Sequence, residues 1–353
     1  MLEDIALLPE ERTIINSPDG ISVGRVSLEH RSHYVVITER GEMPAMPVGR
    51  MYYDPGQEGM PVVGDMVEIR ILDENPPHAI ITSILPRKSL FARKEAGKRT
   101  GTQPIAANID TVFIVCGLDA NFRVRRIERY LTMSIESGAQ PAIVLTKADI
   151  CDDIDEKIEA VRASSAGWPV YAISTCSGVG LCDLSEQLKP NTTVALLGSS
   201  GVGKSTLTNY LLGNDIQRIQ EVRDIDGRGR HTTTSRQLFV LPSGCCVIDT
   251  PGMRELGLTD ADGGLTGAFI DIEEIAKNCR FADCSHEGEP GCAVAEALNK
   301  GVLDQDRFGN YLKMKRELLY IERKQDTGAA VAERSKWKKI HKMARELNKH
   351  DRK

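Results

Sequence analysis

A glycine-rich stretch followed by a lysine and two hydroxyl residues is the first place where this sequence could do chemistry. It follows the apolar run Val194–Leu197, and an apolar strand, a glycine loop and a Lys-Ser-Thr helix start together form a phosphate-binding P-loop. We expect Lys204 to reach the β- and γ-phosphates of a nucleotide and Ser205 to ligate Mg²⁺. The predicted phosphate-binding residues are Gly198, Ser199, Ser200, Gly201, Val202, Gly203, Lys204, Ser205 and Thr206.

A second group of residues could recognise the base. The Asp149 carboxylate can accept the ring N1–H and the exocyclic N–H of guanine, a pair of donors that adenine does not present. Ser174 stands at the end of the next predicted strand, where P-loop GTPases have a short Ser-Ala turn that supports the base. The four-residue element resembles the N/T-K-x-D motif of those enzymes, with Thr where Asn is more common, and consists of Thr146, Lys147, Ala148 and Asp149.

Two motifs downstream of the P-loop predict switches that sense the nucleotide. The stretch 227–234, GRGRHTTT, has the glycines and hydroxyls of a loop that orders around Mg²⁺ and the γ-phosphate. We expect Thr233 to ligate Mg²⁺, with Thr232 as the alternative. A D-x-x-G motif then begins at Asp249, which would hold Mg²⁺ through water, while the Gly252 N–H would meet the γ-phosphate.

The order of these motifs differs from that of ordinary P-loop GTPases. There the P-loop and the switches precede the base-reading element, whereas here Thr146–Asp149 and Ser174 come first. The sequence therefore predicts a circularly permuted GTPase domain over about 107–255. In this order the second switch runs directly into the C-terminal part of the chain, so the state of the nucleotide could move that part.

The hydrolytic step needs a group that positions water. Met253 follows Gly252 where Ras-like enzymes carry a glutamine, and a thioether cannot orient water. Our hypothesis is that His231 does so once a partner orders its loop, with slow basal turnover as the consequence. The alternative is that His231 only contacts phosphate or the partner. The predicted catalytic residues are His231, Thr233 and Lys204.

A dense group of metal-ligating residues lies after the GTPase motifs. Its spacing is C-x4-C-x-H-x5-C, which supplies three thiolates and one imidazole within a short loop. Four such ligands complete a tetrahedral Zn²⁺ shell with no open position, so the predicted role is structural. The predicted zinc ligands are Cys279, Cys284, His286 and Cys292.

Short apolar runs between turn residues predict a small β-barrel over 21–95. An OB-fold suits five strands of this spacing, although an SH3-like barrel and a barrel without any ligand remain open from the residues alone. The basic stretch 86–99 that follows suits either a solvated linker or a segment that tracks a phosphate backbone. The five predicted strands are Ile21–Leu28, Tyr34–Thr38, Val48–Tyr53, Met66–Leu72 and Ile80–Leu85.

Apolar strands then alternate with amphipathic helices, which predicts a mostly parallel sheet covered on both faces. The strand at 110–115 is almost continuously apolar, as buried parallel strands are. The later predicted strands lie at 141–145, 170–175, 237–241 and 245–248, and the predicted helices at 124–137, 154–165, 180–188, 204–213, 269–278, 292–299 and 304–324.

Composition and charge narrow the class of protein. A net charge of −5 argues against a chain that coats nucleic acid uniformly, and no apolar run approaches the length of a membrane span. The nine cysteines do not form a regular disulfide pattern, so we expect a cytoplasmic protein that contacts no membrane. The predicted segments are a polar leader at 1–20, the barrel at 21–95, the GTPase domain at 107–255, a helical zinc-binding domain at 260–325 and a basic tail at 326–353.

Taken together, the barrel, the permuted motifs with GRGxHTTT and the C-x4-C-x-H-x5-C group resemble the bacterial RsgA (YjeQ) family over about 21–324. The resemblance implies a GTPase that acts late in assembly of the 30S ribosomal subunit, contacts 16S ribosomal RNA and is stimulated by that subunit. It also implies GTP and GDP as ligands, Mg²⁺ with GTP and one structural Zn²⁺. We further expect a monomer.

Two other functions compete with this interpretation. The chain could be a permuted GTPase that acts on the large subunit or on tRNA, but such proteins lack the flanking barrel and zinc segment. It could also be a nucleotide-gated RNA-binding module with negligible hydrolysis, which Met253 makes conceivable.

Overall fold

The computed structural model describes residues 21–30, 33–53, 59–94, 102–213, 236–249, 262–286 and 288–321. Several predicted features lie outside these residues: the leader 1–20, the basic tail 326–353, and the switch residues His231, Thr233 and Gly252.

The chain begins with a five-stranded barrel, as predicted. In β3, the buried residues Met43 and Ala45 alternate with the exposed residues Glu42 and Pro44, which is the period of a half-buried strand. The barrel closes because β1 pairs with both β2 and β4, while β3 runs parallel to β5. The strands are β1 Ile21–His30, β2 His33–Thr38, β3 Gly41–Pro47, β4 Met66–Leu72 and β5 His78–Ile84.

The predicted third strand of the barrel was wrong. Residues Gly49–Tyr53 form a short helix, α1, and the strand lies immediately before it as β3. Only Met51 of α1 is buried, so this apolar run does not supply the alternating buried face of a strand. Pro44 of β3 pairs with Val35 of β2, so this proline lies within the strand.

A two-stranded hairpin follows the barrel. Its strands are β6 Leu90–Lys94 and β7 Thr102–Ala107, which pair antiparallel. Ser89, just before β6, donates from Oγ to the Ile109 carbonyl at 2.6 Å and accepts from the Ile109 N–H at 2.7 Å. Part of the basic stretch after the barrel is therefore ordered as a hairpin strand rather than as an open linker.

The next part of the chain forms the α/β domain, in which strands and helices alternate as predicted. Parallel pairing runs through five strands in the order β10-β9-β8-β11-β13, and β12 adds antiparallel to β13. The strands are β8 Thr111–Gly117, β9 Gln140–Thr146, β10 Val170–Ala172, β11 Thr193–Leu197, β12 Arg236–Val240 and β13 Cys246–Asp249; the helices are α2 Val124–Glu136, α3 Ile154–Ser164, α4 Leu181–Ser185 and α5 Lys204–Leu212.

The sheet of the α/β domain continues into the barrel. Strand β12 pairs antiparallel with β1, with Leu28 opposite Gln237 and Glu29 opposite Arg236. Arg236 Nη1 donates to Glu29 Oε2 at 2.9 Å across this seam, and both side chains are largely buried. The barrel is therefore held to the α/β domain through main-chain pairing.

The C-terminal helical segment, residues 262–321, packs on one face of the sheet. Alternate residues of β8 divide between the faces: Val112 and Ile114 join the core that contains this segment, whereas Phe113 and Val115 face the opposite core. Buried Phe269 and Tyr311 of the segment pack edge to face with ring centroids 5.6 Å apart. Its helices are α6 Asp262–Ala268, α7 Ile270–Ala276, α8 Ala293–Asn299 and α9 at 305–321.

Candidate functional site

The predicted nucleotide-binding elements all leave the sheet at the same edge. Strands β8, β9, β10, β11 and β13 run parallel, so their carboxyl ends lie side by side. The P-loop, residues 198–206, follows β11, the base-reading element follows β9, and Asp249 ends β13. Ligands of open α/β sheets bind at this edge, where the loops gather.

The glycines of the P-loop are required by its backbone. A Cβ atom on Gly198 would lie 2.3 Å from the Val115 carbonyl oxygen of the neighbouring strand, so no other residue fits there. Gly203 has φ +95° and immediately precedes α5, which begins at Lys204. The loop therefore delivers Lys204 and the exposed Ser205 and Thr206 in the first turn of a helix, where backbone N–H groups and the helix dipole favour an anion.

The side chain of Lys204 lies across its own loop. Its Nζ donates to the Gly198 carbonyl at 2.7 Å and to the Ser199 carbonyl at 2.5 Å. Ser199 is half-buried, whereas Ser200 and Gly201 are exposed on the outer side of the loop. The lysine charge is therefore held at the centre of the loop, where phosphate oxygens would sit.

Thr146 ties the base-reading element to the P-loop. Its buried hydroxyl donates to the Val202 carbonyl at 2.6 Å, and Val202 is itself buried. In the sequence, this residue was notable only as a Thr at a position where Asn is more common. Its position shows a different use, because its hydroxyl reaches from the end of β9 to the P-loop that follows β11, although β8 lies between the two strands.

Lys147 forms the second tie between these elements. This residue has a left-handed backbone with φ +64°, and its Nζ donates to the Gly201 carbonyl at 2.9 Å and to Asp119 Oδ2 at 2.5 Å. The hydrogen bond from Lys147, together with the Asn121 backbone N–H, holds the pKa of Asp119 below its usual value. The ammonium group is thus fixed between a carboxylate and the P-loop.

Asp119 is a site residue that the sequence analysis missed. It belongs to no motif, and it lies just after β8, next to β9 in the sheet. Only the order of the strands could have pointed to it. Strand β8 is parallel to β9, so residues just after β8 lie at the same edge of the sheet as Thr146 and Lys147.

Asp149 and Ser174 occupy different surroundings. Asp149 is exposed on the 3₁₀ turn Ala148–Ile150, which places its carboxylate in solvent beside the Lys147 tie. Ser174 is fully buried, and its Oγ accepts the Cys176 and Ser177 backbone N–H groups at 3.2 and 3.1 Å. Ser174 therefore shapes the turn after β10 with its side chain, and it can contribute to a ligand only through that turn.

The four predicted metal ligands lie together in the C-terminal helical segment. One ligand atom from each of Cys279, Cys284, His286 and Cys292 falls within 4.8 Å of all the others. Cys279 Sγ lies 3.6 Å from His286 Nδ1 and 3.9 Å from Cys292 Sγ, and Cys292 Sγ lies 3.5 Å from the same nitrogen. A tetrahedron with ordinary zinc–sulfur and zinc–nitrogen bonds has edges of about 3.5–3.8 Å. The donor set and its dimensions therefore fit one zinc ion.

Local structure presents these ligands inward. Cys292 is buried at the start of α8, and its Sγ accepts the Ala295 N–H at 3.3 Å, as a helix-capping side chain does. His286 has φ +64°, which turns the chain so that its ring meets the cysteines, and the ring contacts Phe308 of α9. All of these cysteines are free of disulfides. We call the group the Cys3His cluster.

In the part of the chain that the structure describes, no helix is both long and apolar enough to cross a membrane.

The parallel strand order, the P-loop and the base-reading element that precedes it in sequence define a P-loop GTPase with a circularly permuted domain. Residues 84–259 match the sequence model of the RsgA GTPase family. A small ribosomal subunit biogenesis GTPase RsgA 1 from Oceanobacillus iheyensis is 45% identical over 90% of this chain and 91% of its own length. An RsgA of Methanosarcina acetivorans is 40% identical over 90% of this chain and 85% of its own.

Solved structures give the same assignment. The crystal structure of YjeQ from Thermotoga maritima has a TM-score of 0.63 and 27% identity, covering 85% of this chain and 99% of that one. YloQ, described as a circularly permuted GTPase, has a TM-score of 0.60 and 25% identity over 84% and 95% of the two chains. The chain belongs to the RsgA family of GTPases and is a GTP hydrolase, as the motifs predicted.

Proposed function

We propose that this protein hydrolyses GTP to GDP and phosphate during late maturation of the 30S ribosomal subunit, and that the subunit stimulates the reaction. Support comes from the relatives, which are named as small ribosomal subunit biogenesis GTPases at 40–46% identity. Because these matches extend over about nine-tenths of the chain, they include the barrel and the C-terminal helical segment as well as the α/β domain.

The single observation that carries the nucleotide-binding part is the pair of ties between the base-reading element and the P-loop. Thr146 reaches the Val202 carbonyl and Lys147 reaches the Gly201 carbonyl, so the two elements form one continuous edge. A base held beside Asp149 would therefore have its phosphates directed toward Lys204.

We assign the residues of the site as follows. Asp149 selects guanine, the Ser174 turn supports the base, and the P-loop binds the phosphates with Lys204 as their counter-charge. Mg²⁺ bound with GTP would neutralise charge that develops on the phosphates during transfer. The proposed nucleotide-binding residues are Thr146, Lys147, Ala148, Asp149, Ser174, Gly198, Ser199, Ser200, Gly201, Val202, Gly203, Lys204, Ser205, Thr206, Asp249 and Gly252, with Ser205 and Thr233 on Mg²⁺.

The catalytic assignment is His231 for the attacking water, with Lys204 on the phosphate and Thr233 on Mg²⁺. Met253 cannot orient water, so we propose that the subunit completes the site by ordering the loop that carries His231. Replacing His231 with Ala should abolish the stimulation and leave GDP binding intact. Unchanged stimulated turnover would remove His231 from the mechanism.

The zinc ion of the Cys3His cluster is proposed to be structural, because its four protein ligands leave no open position. We keep the five segments that the sequence predicts as the domain organisation, with boundaries near 20, 95, 107, 255, 260 and 325. We further propose that the protein works in the cytoplasm as a monomer that binds 16S ribosomal RNA and contacts no membrane.

The test is to measure GTP and ATP hydrolysis with and without purified 30S and 50S subunits. The proposal expects slow turnover of GTP alone, little of ATP, and a large increase with 30S only. An increase with 50S instead would support a permuted GTPase of another RNA. No increase with either subunit would support a nucleotide-gated binding module.

A further inference from the structure

Helix α2 lies between the P-loop and the C-terminal helical segment. Arg126 Nη1 of this helix donates to Ser199 Oγ at 3.0 Å. Ser199 is also held through its carbonyl, which accepts from Lys204 Nζ. Ser199, the second residue of the P-loop, therefore has two hydrogen bonds: its side chain accepts from Arg126 of α2, and its carbonyl accepts from Lys204.

Helix α2 also contacts the C-terminal helical segment, through charged side chains. Residues three or four apart on a helix share a face, and three such residues of α2 reach α9. Arg129 forms a two-bond ion pair with Glu317, at 2.8 and 2.7 Å. Arg125 pairs with Asp306 at 2.5 Å, but both side chains are mostly exposed.

The centre of this contact is a buried charge cluster. Arg307 of α9 donates to Glu128 Oε1 of α2 at 2.7 Å and binds Asp271 of α7 with two hydrogen bonds. Asn310 donates to the other Glu128 oxygen at 2.5 Å. Because Glu128 and Arg307 are almost completely buried, α2 cannot slide or rotate without breaking these bonds.

We propose that Arg126 is a positioning residue of the P-loop, and that the C-terminal helical segment sets its placement by fixing α2. The inference rests on the proposed nucleotide-binding role of the loop and adds a residue outside every nucleotide-binding motif. A shift of α2 by the C-terminal helical segment would move the Arg126 guanidinium away from Ser199. Ser199 would then keep the hydrogen bond from Lys204 to its carbonyl but lose the hydrogen bond that holds its side chain.

The first experiment is a double-mutant cycle on GDP and GTP binding with Arg126→Gln, Ser199→Ala and both together. Each single change should weaken binding by about two- to tenfold, as expected for the loss of one hydrogen bond. The double variant should be no weaker than the poorer single variant, because both remove the same contact. Arg126→Lys should recover part of the affinity.

The matched control is Arg125→Gln on the neighbouring position of the same helix, which loses only an exposed pair and should bind nucleotide normally. Zinc content and melting temperature should stay at the wild-type level in Arg126→Gln, while the KM for GTP rises more than kcat falls. Normal binding by Arg126→Gln, or fully additive losses in the double variant, would overturn the inference. Failure of the wild-type protein to bind GDP or GTP would instead overturn the proposed function.

The second experiment tests the role of the C-terminal helical segment. Arg129→Gln removes the pair with Glu317 and leaves the buried cluster unchanged. It should lower nucleotide affinity when Arg126 is present and have no further effect in Arg126→Gln. An equal effect in both backgrounds, or none in either, would show that the segment does not act through Arg126.

Discussion

The barrel joins the α/β domain through main-chain pairing of β1 with β12, whereas the C-terminal helical segment joins it through an apolar core and a cluster of charged side chains. At the barrel seam, β1 and β12 pair in one register. At the other contact, Arg307 links Glu128 and Asp271 from two separate helices. Main-chain pairing admits only discrete registers, since a one-residue slip reverses every side chain. A side-chain contact can loosen in smaller steps.

Buried charge differs between the two contacts as well. Arg25 of β1 is buried against the α/β domain, and its hydrogen bonds go to the neutral acceptors Thr193 Oγ1, Asn108 O and Cys246 Sγ. Its Nε has no hydrogen-bond partner among the residues that the structure describes. Arg307, in contrast, meets two carboxylates. The two contacts should therefore respond differently when their buried cation is removed.

The largest expected effect comes from the Cys3His cluster. Cys292→Ser should abolish zinc binding and unfold the C-terminal helical segment, since metal binding contributes about 10 kcal/mol or more to the folding of small zinc sites. Metal analysis and amide hydrogen exchange would measure both results, with Cys176→Ser at an exposed position as the control. Protection of the barrel should persist. Loss of protection in the barrel as well would contradict the separation of the two contacts.

Removal of the buried cation between α2 and α9 should have the next largest effect. Arg307→Met leaves Glu128 buried without its counter-charge, a change that costs about 3–5 kcal/mol. Arg125→Met on the exposed pair should cost under about 1 kcal/mol. Chemical denaturation would measure the free energy of unfolding of both variants.

The same variant has a defined pH dependence. Burial raises the pKa of Glu128 even beside Arg307, and without Arg307 it would rise further. A carboxyl group with a raised pKa binds its proton more readily in the folded state, so folding gains relative stability as the pH falls. The loss in free energy of unfolding caused by Arg307→Met should therefore become smaller as the pH is lowered from 8 to 5. If this loss in free energy of unfolding did not change with pH, the unpaired Glu128 carboxylate would not be its cause.

The barrel seam should tolerate the corresponding change better. Arg25→Met keeps a long side chain and leaves only neutral groups unpaired, so we expect a loss of about 1–2 kcal/mol. The same denaturation experiment measures it. A cost equal to that of Arg307→Met would remove the distinction between the two contacts.

The smallest effect is expected at Asp119. Asp119→Asn removes the ion pair with Lys147. Because this pair is partly exposed, its loss should lower GDP affinity by only about two- to fivefold. In the wild-type protein, the lowered pKa of Asp119 keeps the carboxylate charged and the pair intact at neutral pH. Protonation of Asp119 at a pH below the usual carboxyl range should weaken GDP binding about as much as Asp119→Asn does. Titration calorimetry at several pH values checks both effects.

The sequence predicted the parts whose chemistry is local. The P-loop, the base-reading element and the zinc ligands are short motifs, and the fold class followed from apolar strands alternating with helices. The third strand of the barrel was predicted at Val48–Tyr53 but lies at Gly41–Pro47, which contains two prolines and alternates buried and exposed residues. Proline in a short run therefore does not by itself exclude a strand that pairs on both sides, as β3 does with β2 and β5.

The contacts between parts of the chain could not be predicted in this way. Arg307 and Glu128 are 179 residues apart, and Arg25 and Thr193 are 168 apart. Such pairs depend on how helices and strands pack in three dimensions, which no local pattern encodes. Asp119 illustrates the intermediate case, since its strand was predicted but its partner Lys147 became evident only from the order of the sheet.

The most direct test of the account is the base preference of Asp149→Asn. With Asp149 the protein should bind and hydrolyse GTP in preference to xanthosine triphosphate, because the carboxylate accepts the exocyclic amino group that guanine carries. The Asn variant can donate to the carbonyl that xanthine has at that position, so its preference should reverse. Retention of the wild-type preference for GTP would contradict the proposal that this edge of the permuted domain reads guanine.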